Sequence, residues 1–164
     1  MRIRSAVGAD WPHIWPFFAA IVADGQTYAF PTDLTVETAE PWWMERPPGR
    51  IIVAVNDGTI LGSAKMGPNR PGRGAHVATA SFMVDPAHQG GGVGRELGLH
   101  VLDWARAAGF RAIQFNAVVE TNVAAVHLWR SLGFEILGTV PESFAHPPRG
   151  LAGLGTDPAD VFLP

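Results

Sequence analysis

The stretch of this chain best suited to chemistry is a glycine-rich turn between an apolar run and a helical pattern. The apolar run is Phe82-Met83-Val84-Asp85-Pro86, and the turn is Gln89-Gly90-Gly91-Gly92-Val93-Gly94-Arg95. A turn that opens a helix leaves backbone N–H groups without partners at the positive end of the helix dipole. Glycine has no Cβ, so the backbone can approach a phosphate closely. These residues predict a phosphate or pyrophosphate site, and the alternative is a surface turn that only caps a helix.

Three phosphate-binding patterns can be compared with this turn. A P-loop requires Lys and then Ser or Thr after the glycines, and Arg95-Glu96 does not fit. The dinucleotide-binding pattern G-x-G-x-x-G does not fit, because its last glycine would fall on Leu97 or Arg95. The turn also lies well inside the chain and not in an opening βαβ unit. The third pattern is Q/R-x-x-G-x-G/A, which the chain matches at every fixed position. That turn is typical of the GNAT acetyltransferases, so this segment resembles that superfamily.

A second segment strengthens the resemblance. The run from Asn116 to Asn122 is followed by a helical stretch that closes on Trp129 and then Leu132-Gly133-Phe134. It resembles the second GNAT signature, in which a strand ends, an Asn starts a helix and small residues face the cofactor. The chain is therefore identified as a member of the superfamily over about residues 1–140. The run 114–122, with Gly138-Thr139-Val140-Pro141, is also similar to the branch containing fungal acetyltransferases of azetidine-2-carboxylate, a proline analogue.

The resemblance implies where acetyl-CoA would bind. In GNAT enzymes the strand before the glycine turn parts from its neighbour, and pantetheine lies in the V-shaped gap. Carried over, the Val84 backbone would bind pantetheine, and the Phe82 N–H would stabilise the oxyanion of the tetrahedral intermediate. Backbone N–H groups of the turn would hold the pyrophosphate, and Asn122 would bind the pantetheine arm or the cofactor end of its helix. The implied cofactor contacts are Phe82, Met83, Val84, Gln89, Gly90, Gly91, Gly92, Val93, Gly94, Arg95, Asn122 and Trp129.

One position departs from the family. Many GNAT enzymes carry, on the last helix, a Tyr that protonates the departing CoA thiolate, and Trp129 stands there. An indole N–H donates a hydrogen bond but is not an acid near neutral pH. Either water protonates the thiolate or it leaves unprotonated, and Trp129 is either a core residue or a cofactor contact.

The acceptor site and the base are less well marked. Asn116 is the best candidate for a substrate residue, because an Asn inside an apolar strand is costly to bury without partners. The alternative is that it pairs with splayed backbone or a water. His76 and Glu120 are the candidate general bases. The alternative for each is an ordinary surface or packing residue without a role in the reaction. Tyr28 and Phe30 lie in the loop that covers the acceptor pocket in the family, and we predict substrate contacts for both. The alternative for Tyr28 is that it only anchors the loop.

The elements that must position these residues follow the order β-α-α-β-β-β-α-β-α-β. This predicts a single α/β domain with a mixed sheet, and the resemblance implies a sheet that is centrally splayed and flanked by helices. We expect the acetyltransferase domain to span 1–140. The segment 141–164 has an atypical sequence for this family, and one interpretation is that it completes the sheet. The run 160–163 is a poor candidate for a closing strand. A sheet that ends at Val140 would leave an exposed edge, which favours a homodimer.

Composition narrows the remaining choices. The net charge is −3 and the pI about 6.0, so no basic field favours nucleic acid or an anionic membrane. There are no cysteines, which excludes disulfides and cysteine nucleophiles and is compatible with a cytoplasmic protein. The six histidines are scattered, so we expect no metal site.

We predict direct attack of a small-molecule amine, such as an amino acid or a toxic analogue, on acetyl-CoA in a ternary complex. The alternatives are acetylation of a protein N-terminus or lysine, and a non-catalytic acyl-CoA-binding module.

Overall fold

The computed structural model describes residues 1–147 and 150–159. The strands are β1 (Arg2–Ser5), β2 (Arg50–Asn56), β3 (Thr59–Pro68), β4 (Val77–Val84), β5 (Ala112–Val119), β6 (Gly138–His146) and β7 (Gly150–Ala159). The α-helices are α1 (Trp11–Asp24), α2 (Val36–Trp43), α3 (Val93–Ala107) and α4 (Val123–Ser131). The predicted order of elements is confirmed as far as β6. None of the helices described is long and apolar enough to cross a membrane.

The strands form one mixed sheet in the order β1-β2-β3-β4-β5-β7-β6. Every neighbouring pair is antiparallel except β4 and β5, which run parallel. That parallel pair is in register only at Val77 with Ala112 and at Ala78 with Ile113. Beyond these residues the two strands part, which confirms the predicted central splay.

The C-terminal part of the sheet differs from the sequence prediction. The residue types of 134–140 predict a last strand over that run, but β6 begins at Gly138, and Phe134 is buried in the core. The Gly- and Ala-rich segment then forms β7, which lies between β5 and β6 and completes the sheet. A strand paired on both sides is held by backbone hydrogen bonds, which any residue with an N–H can form, so apolar periodicity is not required. The run 160–163 lies outside the described residues.

The two faces of the sheet carry separate cores. On one face α3 and α4 pack against Phe82 and Val84 of β4. On the other face α1 and α2 pack an aromatic-rich core against Met83. Side chains therefore alternate along β4, as the pleat of a strand requires. Each fully buried large apolar side chain contributes about 1.5–3 kcal/mol to this arrangement.

Local signals in the sequence explain the ends of several elements. Thr35 caps α2, its side chain accepting a hydrogen bond from the Thr38 N–H. The β2–β3 hairpin turns at Asp57 and Gly58, whose φ angles are 48° and 82°. Two residues with positive φ are what a tight hairpin turn needs. The run Asn56-Asp57-Gly58 between two apolar runs predicts such a turn, and the structure confirms it.

Candidate active site

The centre of the candidate site is Phe82, on the part of β4 that β5 no longer accompanies. Continuing the β4–β5 register beyond its last pair places Phe82 level with Ala117 across the gap. The Phe82 ring lies 4.6 Å from the Trp129 ring and 5.8 Å, edge-on, from the Phe115 ring. Phe115 stacks in turn on Phe134 at 4.6 Å. This aromatic cluster fixes the Phe82 side chain and with it the backbone groups at the gap.

Trp129 is a member of that cluster and is 6% exposed. A Cβ added at Gly98 would come within 3.1 Å of the Trp129 ring, so the indole is closely packed against α3 as well. The structure therefore supports the core interpretation of Trp129. Its contact with the candidate site is through the Phe82 ring.

The glycine turn has the geometry of an anion site. Gly90 and Gly92 have φ angles of 79° and 80°, in the left-handed region that glycine enters without strain. Gly92 is the N-cap of α3 and supplies no capping side chain. The first turn of a helix leaves its N–H groups without intrahelical partners, so those of Val93, Gly94 and Arg95 are directed at the turn. A cradle of backbone donors at the start of a 15-residue helix suits a pyrophosphate.

The flanks of this turn are held by side chains. Asp85 accepts hydrogen bonds from the Ala87 N–H at 2.9 Å and pairs with the His88 ring at 3.2 Å. The Arg95 guanidinium donates to Ser131 Oγ at 3.1 Å, which ties α3 to α4. Gln89 is exposed beside the turn. Asn122 caps α4 by accepting from the Ala125 N–H at 3.2 Å.

Asn116 is exposed, so the cost of burying an Asn in an apolar strand, on which its selection rested, does not arise. The β5–β7 register shifts between Phe115 and Val118, which places Asn116 and Ala117 on a bulge. A β-bulge redirects a side chain and interrupts the alternation of buried and exposed residues. Asn116 and Ala117 are accordingly exposed in succession.

The Asn116 amide joins a chain of polar side chains. Its Nδ2 donates to Asn69 Oδ1 at 2.7 Å and lies 3.5 Å from Thr79 Oγ1. Asn69 Nδ2 donates in turn to Gln114 Oε1 at 3.1 Å. The chain bridges β5, β4 and the loop after β3 beside the point where the strands part. Sequence reasoning missed Asn69, Thr79 and Gln114, although Asn69 lies in the run 67–74, whose Gly and Pro residues predict a loop.

A cavity of about 670 Å³ opens beside this polar chain. Thr79, Ser81 and Asn116 line it from the sheet, and Glu45 and Arg46 line it from the segment after α2. Charged groups of both signs therefore face the same space.

Lys65 also lines the cavity and joins its two sides. Its Nζ lies 3.2 Å from Glu45 Oε1 and donates to the Trp42 carbonyl at 3.0 Å. Arg46 is exposed at the rim. The sequence analysis identified neither Lys65 nor Arg46, since nothing in their spacing indicates a site.

Tyr28 and Phe30 lie against β4 and are not among the described lining residues of the cavity. The Tyr28 hydroxyl donates to the Phe82 carbonyl at 2.8 Å and accepts from the Phe82 N–H at 3.1 Å. Burial raises the pKa of Tyr28 above its usual range, and the hydrogen bonds to Phe82 and Ser81 act in the opposite direction. The Phe30 ring stacks on Tyr28 at 5.1 Å.

The two candidate general bases, His76 and Glu120, do not lie close to Phe82. His76 is exposed just before β4, about 20 Å from Phe82 along an extended strand. Glu120 follows the end of β5 and is exposed, three residues beyond the level of Phe82, or about 10 Å. Within the described residues no group of three or more His, Asp or Glu side chains is placed to hold a metal ion.

A parallel strand pair that splays beside a set of backbone N–H donors for an anion is typical of one class of protein, the acyltransferases that use acyl-CoA as the acyl donor. The chain matches the Acetyltransferase (GNAT) family over residues 15–134, and it belongs to that family.

Two relatives and two solved structures illustrate the similarity. N-acetyltransferase aca1 of Schizosaccharomyces pombe is 35% identical over 52% of this chain, and the match spans only 41% of aca1. The L-methionine sulfoximine/L-methionine sulfone acetyltransferase of Salmonella typhimurium is 31% identical, over 87% of this chain and 84% of that protein. A GCN5-related N-acetyltransferase from Kribbella flavida has 58% identity and a TM-score of 0.92, with 95% of each chain covered. The Salmonella typhimurium acetyltransferase yncA, solved with its cofactor acetyl-CoA, has 26% identity and a TM-score of 0.84, covering 96% of this chain and 92% of its own.

Proposed function

We propose that this protein transfers the acetyl group of acetyl-CoA to the amine of a small amino acid or an amino-acid analogue. The observation that carries the proposal is the position of the cavity, which meets β4 at Ser81 and so ends beside Phe82. An amine held there would reach a thioester carbonyl that accepts a hydrogen bond from the Phe82 N–H. The Salmonella relative whose name states methionine sulfoximine as its substrate supports an acceptor of this size.

Acetyl-CoA would bind along the opened edge of β4. The pyrophosphate would accept from the N–H groups of the glycine turn, and the pantetheine arm would pair with the Val84 backbone. The two left-handed glycines and the uncapped start of α3 support this placement. Solved relatives containing acetyl-CoA support it as well.

Acetyl transfer would proceed by direct attack within a ternary complex. The neutral amine nitrogen forms a bond to the thioester carbon, and the carbonyl pair moves to oxygen. That pair then returns to re-form the carbonyl as the C–S bond breaks, with the C–S pair leaving on sulfur. Because His76 and Glu120 lie away from Phe82, we propose that the proton lost by nitrogen passes to solvent in the open cavity. Trp129 is packed in the core, so the thiolate leaves unprotonated or takes its proton from water.

The acceptor would be recognised by the walls of the cavity. Asn116 offers amide donors and an acceptor on the sheet side, where Asn69 and Thr79 orient it. Arg46, at the rim, would face the carboxylate of an amino acid. This mixed set of donors and charges suits a zwitterion better than an extended peptide.

Thiol release from acetyl-CoA across a panel of amines tests the proposal. The chain contains no cysteine, so the protein contributes no thiol background. We expect release with one or more free amino acids or their analogues. Release only with peptides would favour a protein acetyltransferase, and binding of acetyl-CoA without any release would favour a non-catalytic binding module.

We also propose that the protein is a homodimer formed through β6, the exposed edge of the sheet. Val140 on this strand is 51% exposed, and Leu137 just before it is 57% exposed. Val140→Asp should dissociate the dimer in sedimentation at micromolar concentration, whereas Val7→Asp, at a residue 58% exposed near β1, should not. A wild-type monomer under these conditions would contradict the proposal.

A further inference from the structure

The hydroxyl of Tyr28 satisfies both backbone hydrogen-bonding groups of one residue. It donates to the Phe82 carbonyl at 2.8 Å and accepts from the Phe82 N–H at 3.1 Å. The two residues are 54 positions apart in the chain. Phe82 lies on the part of β4 that has no register with β5, so its N–H and C=O bind the Tyr28 hydroxyl instead of a neighbouring strand.

The hydroxyl oxygen lies at the hydrogen-bonding position of the Phe82 N–H. An acyl oxygen that accepts from that N–H would lie at a similar distance from the nitrogen, about 2.7–3.2 Å. The two oxygens would therefore compete for one donor, and a small displacement of the hydroxyl would leave them within hydrogen-bonding distance of each other. A hydroxyl can reorient its proton by rotation about the C–O bond, whereas the backbone N–H cannot move.

The Tyr28 ring is held by aromatic neighbours, which keeps the hydroxyl close to this position. It stacks on Phe30 with centroids 5.1 Å apart and meets the Trp43 ring edge-on at 6.1 Å. Trp43 is fully buried and donates from Nε1 to Ser63 Oγ at 3.0 Å. Donors that are fixed before the reaction stabilise a developing charge most effectively.

We propose that Tyr28 is a catalytic residue, whose hydroxyl donates to the thioester oxygen once that oxygen accepts from the Phe82 N–H. Together the two donors form an oxyanion site. The inference rests on the proposed acetyl transfer. As the amine nitrogen bonds to the thioester carbon, the carbonyl pair moves to the oxygen between the two donors. The pair then returns, the C–S bond breaks, and the thiolate leaves with the sulfur pair while Tyr28 keeps its proton throughout.

A role as general acid towards the thiolate fits the structure less well. Burial raises the pKa of Tyr28, whereas a thiol has an ordinary pKa of about 8.5. Proton transfer from this phenol to a thiolate would therefore be uphill. A phenol that resists ionisation is a suitable hydrogen-bond donor, because it stays neutral over the working pH range.

Tyr28→Phe removes the hydroxyl and keeps the ring. We expect kcat at saturating substrates to fall by roughly tenfold to a hundredfold, with the KM for acetyl-CoA changed by less than about threefold. Trp11→Phe is the matched control, since it also removes an aromatic donor of the same core, one that binds the Val36 carbonyl at 2.8 Å. It should keep kcat within about twofold. A Tyr28→Phe enzyme with wild-type kcat and a raised KM for the amine would show a loop anchor only, and would overturn the proposal.

A second measurement needs no turnover. Tyr28 is the only tyrosine in the chain, so replacing all tyrosine by 3-fluorotyrosine labels this position alone. We expect its fluorine NMR signal to shift more with acetyl-CoA than with free CoA, because only acetyl-CoA carries the acyl oxygen. Equal shifts alongside normal thiol release would overturn the role of Tyr28 and leave the proposed function standing. A larger shift with acetyl-CoA, but no thiol release with any amine, would support the contact and contradict the proposed function.

Discussion

The ring centroids of Phe82 and Trp129 lie 4.6 Å apart, so the residue that offers the candidate oxyanion donor packs against the indole of α4. Trp129 also contacts Phe115 at 4.8 Å and Phe134 at 5.8 Å. Aromatic pairs at such distances contribute beyond the area that they bury. Trp129 is therefore a core ring that supports β4 through Phe82.

Trp129→Ala should destabilise the fold strongly. Removing a closely packed aromatic side chain leaves a cavity, and we expect a loss of about 3–5 kcal/mol in the free energy of unfolding by urea denaturation. Trp42→Ala is the matched control, because Trp42 is 45% exposed on α2 and should cost less than about 1 kcal/mol. Equal losses in the two variants would contradict the assignment of Trp129 to the core.

Gly92→Ala should weaken acetyl-CoA binding by about tenfold or more, measured by calorimetric titration. The φ of 80° at this position strains any residue with a Cβ, and the strain would distort the donors of the turn. Gly58→Ala in the β2–β3 hairpin introduces the same strain at a φ of 82°, also with no atom within 4 Å of the added Cβ. It should lower stability without changing the affinity for acetyl-CoA. An unchanged affinity in Gly92→Ala would mean that the turn is only a helix cap, and equal losses in the two variants would mean that the loss is not specific to the turn.

Asn116→Ala should raise the KM for the amine by about twofold to tenfold and leave the KM for acetyl-CoA unchanged. The reason is that the amide faces the cavity and would lose a hydrogen bond of about 0.5–1.5 kcal/mol to the acceptor. Asn56→Ala, at an exposed position at the end of β2, is the control. If the KM for the amine does not change in steady-state kinetics, Asn116 only supports Asn69 and Thr79.

Asp10 should make the free energy of unfolding depend on pH below about pH 4. Its carboxylate accepts two hydrogen bonds from Arg4, at 2.7 and 2.8 Å, and one from the Val7 N–H at 2.8 Å. The Arg4 contact lowers the pKa of Asp10 against the raising effect of burial. The folded state therefore binds this proton less strongly than the unfolded state. The stabilisation is fully present above the unfolded pKa of about 3.9 and is lost as the pH falls through the lower folded value.

Asp10→Asn tests this linkage by urea denaturation at several pH values. The variant should be less stable than the wild type at pH 7, and the difference should shrink as the pH falls below about 4. Asp57→Asn, in an exposed hairpin turn, is the control. A difference that stays constant with pH would contradict the assignment.

The sequence by itself determined the features that depend on neighbouring residues. The glycine turn, the caps at Thr35 and Asn122, and the hairpin at Asp57-Gly58 are each formed within a few residues. Their backbone angles and capping groups follow from the local residue types. The family also followed from residues alone, because both of its signatures are continuous segments.

Only the tertiary structure decided which distant groups meet. Tyr28 reaches Phe82 across 54 positions, and Asn116 reaches Asn69 across 47. Composition and periodicity carry no record of such pairs, since they arise from loop paths and from the bulge at Asn116. The same holds for β7, which is ordered by partners on both sides rather than by its own apolar pattern. Local chemistry can thus be predicted from the chain, whereas the assembly of the site depends on packing between segments that are far apart in it.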